Sequence, residues 1–267
     1  MPPRDLAALI EKAKAAPADA AAAARALALV DLTSLGGDES EADIEALCRR
    51  AKEHGTAAVC IYGRHVPQAR RLLAGSGVRL ATVANFPKGG DDILAAADEA
   101  AAAAAAGADE VDVVAPIAAL LEGDTGIVGE LVDACRAAVG PSITLKLILE
   151  TGVLQQPDLI SAAARTAVMA GVDFLKTSTG KAPAGATLEA AAVLLAVCAE
   201  ADGRVGFKAA GGIRTTADAA AYLALADMLV EPGWPAPRRF RFGASSLLDD
   251  LLRTLGHGEG GGTGGGY

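Results

Sequence analysis

Val172-Asp173-Phe174-Leu175-Lys176-Thr177-Ser178-Thr179-Gly180-Lys181 is a short apolar run that ends on a lysine and passes into a loop of small residues. The same plan returns as Val205-Gly206-Phe207-Lys208-Ala209-Ala210-Gly211-Gly212-Ile213-Arg214. Between the two lies Leu188–Glu200, rich in Ala and Leu with scattered charge, as an outer amphipathic helix is. Each run has the length of a buried strand, and each loop precedes a helical segment.

Outward from this pair the pattern repeats along the chain. Strand-length runs are predicted at Leu27–Leu32, Ala57–Tyr62, Arg79–Val83, Val111–Val114, Ile143–Leu149, Val172–Lys176, Val205–Lys208 and Phe240–Phe242. Helical segments are predicted at Glu39–His54, Ile93–Ala106, Ile127–Val139, Pro157–Ala170, Leu188–Glu200 and Ala217–Leu229. Gly55, Gly107, Gly140, Gly171 and Gly203 stand shortly before strands, where helices stop. Eight alternations over 267 residues predict an α/β fold of the (β/α)8 TIM-barrel type in a single domain, residues 1–267. A doubly wound open sheet is the runner-up, but no G-x-G-x-x-G follows the first strand. Met1–Arg25 reads as an N-terminal helical extension, and residues 257–267 as a flexible glycine-rich tail ending in Tyr267.

Composition narrows the function classes. The net charge of −9 argues against non-specific nucleic-acid binding, although a local Lys/Arg/N–H cluster can still hold a phosphorylated metabolite. No apolar stretch reaches membrane-spanning length, and the early acids Asp5, Glu11 and Asp19 do not fit a transit peptide. The expectation is a cytoplasmic protein with no membrane partner. Cysteines 48, 60, 135 and 198 and histidines 54, 65 and 257 lack ligand or disulfide-framework spacing, so a reduced, metal-free protein without cofactor is expected.

A lysine at the end of a buried strand loses hydration, and its pKa falls toward the range where the amine is a nucleophile. A second cation nearby lowers it further, a preparation for imine chemistry. Catalytic groups of such barrels gather at the C-terminal ends of the strands. Asp31, Asp112 and Lys146 sit in or at the ends of other strands, and period-two alternation puts Val172, Phe174 and Lys176 on one face and Lys146, Ile148 and Glu150 on one face. With those faces inward, Asp31, Asp112, Lys146, Lys176 and Lys208 converge. The plainer alternative is a buried ion-pair network that only holds the barrel together. The loops give an independent signal. Thr179-Gly180-Lys181, Gly211-Gly212-Ile213-Arg214 and Gly243-Ala244-Ser245-Ser246 follow strands six, seven and eight, and phosphate sites in such barrels frequently use the loops after strands seven and eight. Cys60 ends a strand's apolar core and reads as a small core residue near the site. Trp234 reads as a loop residue packed on the barrel.

Val30-Asp31-Leu32-Thr33-Ser34-Leu35, Ala58-Val59-Cys60-Ile61-Tyr62, Asn85-Phe86-Pro87, Gly107–Val114, Lys176–Lys181 and Arg241–Ser246 together resemble the 2-deoxyribose-5-phosphate aldolase family, in its long form with a terminal tyrosine. The resemblance implies a metal-free class I aldolase on a (β/α)8 barrel. It implies Lys176 as the Schiff-base lysine, Lys208 as the neighbour that depresses its pKa, and Asp112 as proton donor and acceptor through water. Asp31 would orient the lysines, and Tyr267 would assist proton transfer at substrate C2. Thr179, Gly180, Lys181, Gly211, Gly212, Arg214, Gly243, Ser245 and Ser246 would hold the phosphosugar. It further implies a homodimer. Ala209, Gly36 and Ala115 depart from the family's usual residues and bear on pocket shape. Another lysine-dependent phosphosugar aldolase or transaldolase, and a non-catalytic phosphosugar-binding barrel, are the alternatives.

Overall fold

The computed structural model describes residues 3–257, and the predicted strands and helices are all present within them. In chain order the elements are α1 (Pro3–Lys14), α2 (Ala20–Leu27), β1 (Val30–Ser34), α3 (Glu41–His54), β2 (Ala58–Ile61), α4 (Val66–Leu72), β3 (Arg79–Ala84), α5 (Ile93–Ala105) and β4 (Glu110–Val114). There follow α6 (Ile117–Leu121), α7 (Gly126–Val139), β5 (Thr144–Ile148), α8 (Thr151–Leu154), α9 (Pro157–Met169), β6 (Phe174–Lys176), α10 (Leu188–Glu200), β7 (Gly206–Ala210), α11 (Thr216–Leu229), β8 (Phe240–Ala244) and α12 (Leu247–Thr254). All eight strands are parallel and pair in sequence order, and β8 returns to β1, closing the barrel.

Local chemistry accounts for the joints. Ser40 and Asp43 form a capping box at the start of α3, and Thr215 and Asp218 do the same for α11. Gly55 ends α3 in the left-handed region, at φ 64°, which a residue with a Cβ enters only at a cost. The first strand begins later than its apolar run suggests, because Leu27 and Ala28 close α2 instead. Apolar character is shared by a helix end and a strand start, so it does not mark the border between them.

Period-two alternation divides each strand between two environments. Outward residues such as Leu147, Leu175, Phe207, Phe240 and Phe242 join one large core against the helices. Trp234 is fully buried there, its indole N–H donating to the Gly203 carbonyl at 3.1 Å, with its ring edge-on to Phe240. The inward face is different. Leu35, Ala58, Cys60, Ala81 and Val83 form a separate small apolar cluster on the β1–β3 side. Across from it, strands β4 to β8 and β1 turn charged side chains into the barrel. The N-terminal helices are tied on from outside: Arg25 of α2 forks onto Asp227 of α11 at 3.0 and 3.1 Å. No helix among the described residues is long and apolar enough to cross a membrane.

Candidate active site

Register brings the inward charges together. Asp112 pairs with Lys146 across β4 and β5, Lys176 with Lys208 across β6 and β7, and Lys208 with Arg241 across β7 and β8. Asp112 is the hub. Its Oδ1 accepts from Lys146 Nζ at 2.7 Å, while its Oδ2 accepts from both Lys176 Nζ and Lys208 Nζ at 2.8 Å. Lys208 also donates to Asp31 Oδ2 at 2.5 Å. Gly243 leaves room for this: a Cβ there would stand 3.0 Å from Lys208 Cε. The five residues singled out from sequence therefore meet as one constellation. Cys60 faces the same interior, and burial pushes its thiol above the usual range, as befits a core residue.

The three lysines are not equivalent. For Lys208, burial disfavours the charge, but Asp112 and Asp31 outweigh it and hold the ammonium above the ordinary lysine range. Lys146 is raised in the same way, with Asp112 and Glu110 outweighing burial. Lys176 goes the other way. Burial lowers it most, Asp112 pulls back, and the Lys208 ammonium lowers it again, leaving it below the ordinary range. Burial also opposes ionisation of Asp112, yet its lysine partners keep it well below the usual carboxylate range. Asp112 thus stands as a carboxylate between two lysines held above their ordinary range and one held below it.

Above the constellation is a cavity of about 370 Å³ at the C-terminal mouth of the barrel. Thr179, Gly180, Lys181, Gly211, Gly212, Arg214, Gly243, Ser245 and Ser246 all line it, together with Thr33, Ser34, Leu35 and Gly36. Of the lysines around Asp112, only Lys176 reaches this wall. Lys146, Lys208, Asp112 and Asp31 lie beneath it, fully buried. A larger cavity of about 470 Å³ lies outside the barrel, between α1, α10 and α11, away from these groups.

The loops that shape the mouth carry residues to which the sequence reading gave no role. Glu150, expected on the Lys146 face, instead follows β5 with φ 50° and turns to accept from the backbone and hydroxyl of Thr179. Period-two alternation ends where the strand does, so it could not place this residue. Thr177 bridges to the end of β7, its hydroxyl donating to the Ala210 carbonyl and accepting from the Ala210 N–H. The segment around Gly185 is wedged between two loops. A Cβ on Gly185 would lie 2.4 Å from the Gly211 carbonyl, and one on Gly152 would lie 2.2 Å from the Ala184 carbonyl. Glu110 and Arg241 were likewise unassigned, though alternation with Asp112 and with Phe240 and Phe242 put both on inward faces. Tyr267 lies outside the described residues.

The family profile described as DeoC/LacD family aldolase matches residues 25–253. The chain is similar to a protein from Coccidioides immitis provisionally assigned as a deoxyribose-phosphate aldolase: 30% identity over 95% of this chain and 98% of that one, TM-score 0.78. A protein of Toxoplasma gondii with the same provisional assignment matches at 25% identity over 89% and 95% of the two chains, TM-score 0.81. The tetrameric deoxyribose phosphate aldolase of Aeropyrum pernix matches at 25% identity over 94% and 97%, TM-score 0.72.

Proposed function

The chain belongs to the DeoC/LacD aldolase family, and from that premise we propose that it is a Schiff-base aldolase that reversibly cleaves 2-deoxy-D-ribose 5-phosphate to D-glyceraldehyde 3-phosphate and acetaldehyde. One observation carries the assignment of the nucleophile. Three lysines surround Asp112, and the one whose pKa is lowered is also the one that lines the cavity.

In this reading the Lys176 amine attacks the C1 aldehyde of the open-chain sugar and loses water to become an iminium ion. That ion is an electron sink. Removal of the C3 hydroxyl proton breaks the C2–C3 bond, glyceraldehyde 3-phosphate leaves, and the enamine is protonated at C2 and hydrolysed to acetaldehyde. Asp112 and the adjacent Lys208 relay protons through water between Lys176 and the substrate. General acid–base steps of this kind contribute roughly 10²–10⁴-fold. Asp31 keeps Lys208 charged and in place. The phosphate sits among the loops after β6, β7 and β8, where Lys181 and Arg214 bring charge and the glycines and serines bring N–H and hydroxyl donors. Remote binding there positions the reacting carbon.

Borohydride added with acetaldehyde is expected to leave an ethyl group on the Lys176 peptide, read by mass spectrometry. An unmodified Lys176 peptide would sink the Schiff-base reading. Cleavage rates on deoxyribose phosphate against ketose phosphates test the substrate. Gly185→Ala tests the phosphate seat, because the new methyl must displace the Gly211 backbone. KM for the phosphorylated sugar is expected to rise about tenfold with kcat little changed, as for lost uniform binding. An equal rise for unphosphorylated deoxyribose would place the defect elsewhere. Light scattering tests the homodimer carried from the sequence resemblance against a tetramer.

A further inference from the structure

The buried charges close into a ring. Starting from Asp112, the contacts run to Lys146 at 2.7 Å, then Glu110 at 2.5 Å, Arg241 at 2.8 Å, Asp31 at 2.5 Å, Lys208 at 2.5 Å, and back to Asp112 at 2.8 Å. Signs alternate all the way round: three carboxylates and three cations, contributed by β1, β4, β5, β7 and β8. Every side chain in the ring is at most 3% exposed. Lys176 is not a member. It hangs from the ring by its single contact to Asp112 at 2.8 Å.

We propose that Glu110 and Arg241 are positioning residues which, through this closed ring, fix the charge inside the barrel so that Lys176 is left without a carboxylate of its own. This goes beyond the assignment of Lys176 as nucleophile and rests on it only for its catalytic consequence. The ring is neutral by itself, with every negative charge already shared between two cations. A proton on Lys176 is therefore a charge beyond the ring's balance, at the buried end of the cavity, where the one carboxylate within reach is already shared with two other cations. Neither Glu110 nor Arg241 lines the C-terminal cavity, so both would act on Lys176 without touching substrate.

Among the described residues no carboxylate other than Asp112 lies within ion-pair distance of Lys176. Cys60 from β2 is held as a thiol. Glu150, beyond β5, is engaged by Thr179. Lys181 and Arg214 are exposed at the mouth. Arg79 from β3 touches Glu110 from outside the ring at 2.5 Å, with its side chain 42% exposed, so solvent screens it. Phe174 lies between Lys146 and Arg241, 5.8 Å from each, and fills the interior with a ring face in place of a counter-ion.

The sign of the effect is what distinguishes this role from a merely structural one. Glu110→Gln removes a negative charge and should shift the titration of Lys176 to lower pH. Arg241→Gln removes a positive charge and should shift it to higher pH. At an effective dielectric near 20, a unit charge roughly 12 Å away corresponds to roughly one pH unit, or about tenfold in amine reactivity at a fixed pH below the inflection. The double variant restores neutrality and should return the inflection close to wild type. Arg241→Lys keeps the charge while losing the fork, and should leave the inflection in place.

The experiment is competitive labelling of the full-length chain with trace acetic anhydride across pH, following the Lys176 peptide by mass spectrometry. This reads the amine directly and needs no aldolase activity. Opposite shifts in the single variants, cancelling in the double variant, support the ring. Shifts in the same direction, or none, overturn it. If a single variant does not fold, the balanced double variant and Arg241→Lys decide: an inflection displaced in both overturns the proposal. Absence of an acetaldehyde adduct in the wild type would instead reject the Schiff-base reading while leaving the charge ring testable by labelling.

Discussion

Lys176→Met is expected to abolish aldol cleavage, by more than about 10⁴-fold, while the protein melts at the same temperature as the wild type or higher. Loss of activity follows from loss of the only amine of the constellation that reaches the cavity. The stability result follows from linkage. Lys176 titrates below its ordinary value of 10.5, mainly because it is buried. Between its folded pKa and 10.5 the unfolded chain binds the extra proton, so stability rises with pH across that window and the full cost applies below it. Methionine has a similar volume and no charge to desolvate. Its advantage should be largest below the folded pKa of Lys176 and vanish above 10.5, as melting curves at several pH values would reveal. Asp112 loses one hydrogen bond but keeps Lys146 and Lys208. A clear drop in melting temperature would mean that Lys176 holds the barrel together, the role of a structural ion pair.

Asp112→Asn should do the opposite to stability. The amide leaves Lys146, Lys176 and Lys208 around a neutral group inside the barrel, and removing one partner of a buried ionic cluster costs about 3–5 kcal/mol. Turnover should fall by about 10²–10⁴-fold from loss of the proton acceptor alone. The pH dependence of stability should change as well. Asp112 is ionised well below the usual carboxylate range in the wild type, where the lysines outweigh burial. That contribution is present above the unfolded carboxylate pKa and is lost as pH falls through the folded value. The asparagine variant should therefore show a flatter acid limb. Chemical denaturation at neutral and acidic pH checks both points; equal stability to wild type at neutral pH would deny Asp112 its place as hub. The two substitutions remove partners of the same 2.8 Å contact, and opposite effects on the fold would show which of them the fold needs.

Much of the site could be read locally. Lys176, Lys208 and Asp112 each interrupt an apolar run, and a charge in such a run must find a partner or a function. The glycine loops after β6, β7 and β8 were legible for the same reason: small residues at strand ends permit close approach to an anion. Glu110 and Arg241 carried a comparable signal and were passed over. One opens a strand and the other sits between Phe240 and Phe242, so both look like ordinary boundary charges until alternation is applied. Glu150 could not have been placed, because its left-handed backbone breaks the alternation. The fit of Gly185 against Gly211 depends on two loops distant in sequence, and no local pattern encodes it.

By itself the chain determined the alternation of strand and helix, and therefore the barrel, because hydrophobic period and helix-capping residues act over a few neighbours. It also marked the strands that carry charged residues within apolar runs. Only the tertiary structure decided which amine of the constellation reaches the cavity. Charge interactions depend on distances across the barrel, and those are set by closing β8 onto β1 and by the register of all eight pairs. Closure gathers three carboxylates and three cations from five strands into a neutral ring and leaves Lys176 outside it, at the cavity wall.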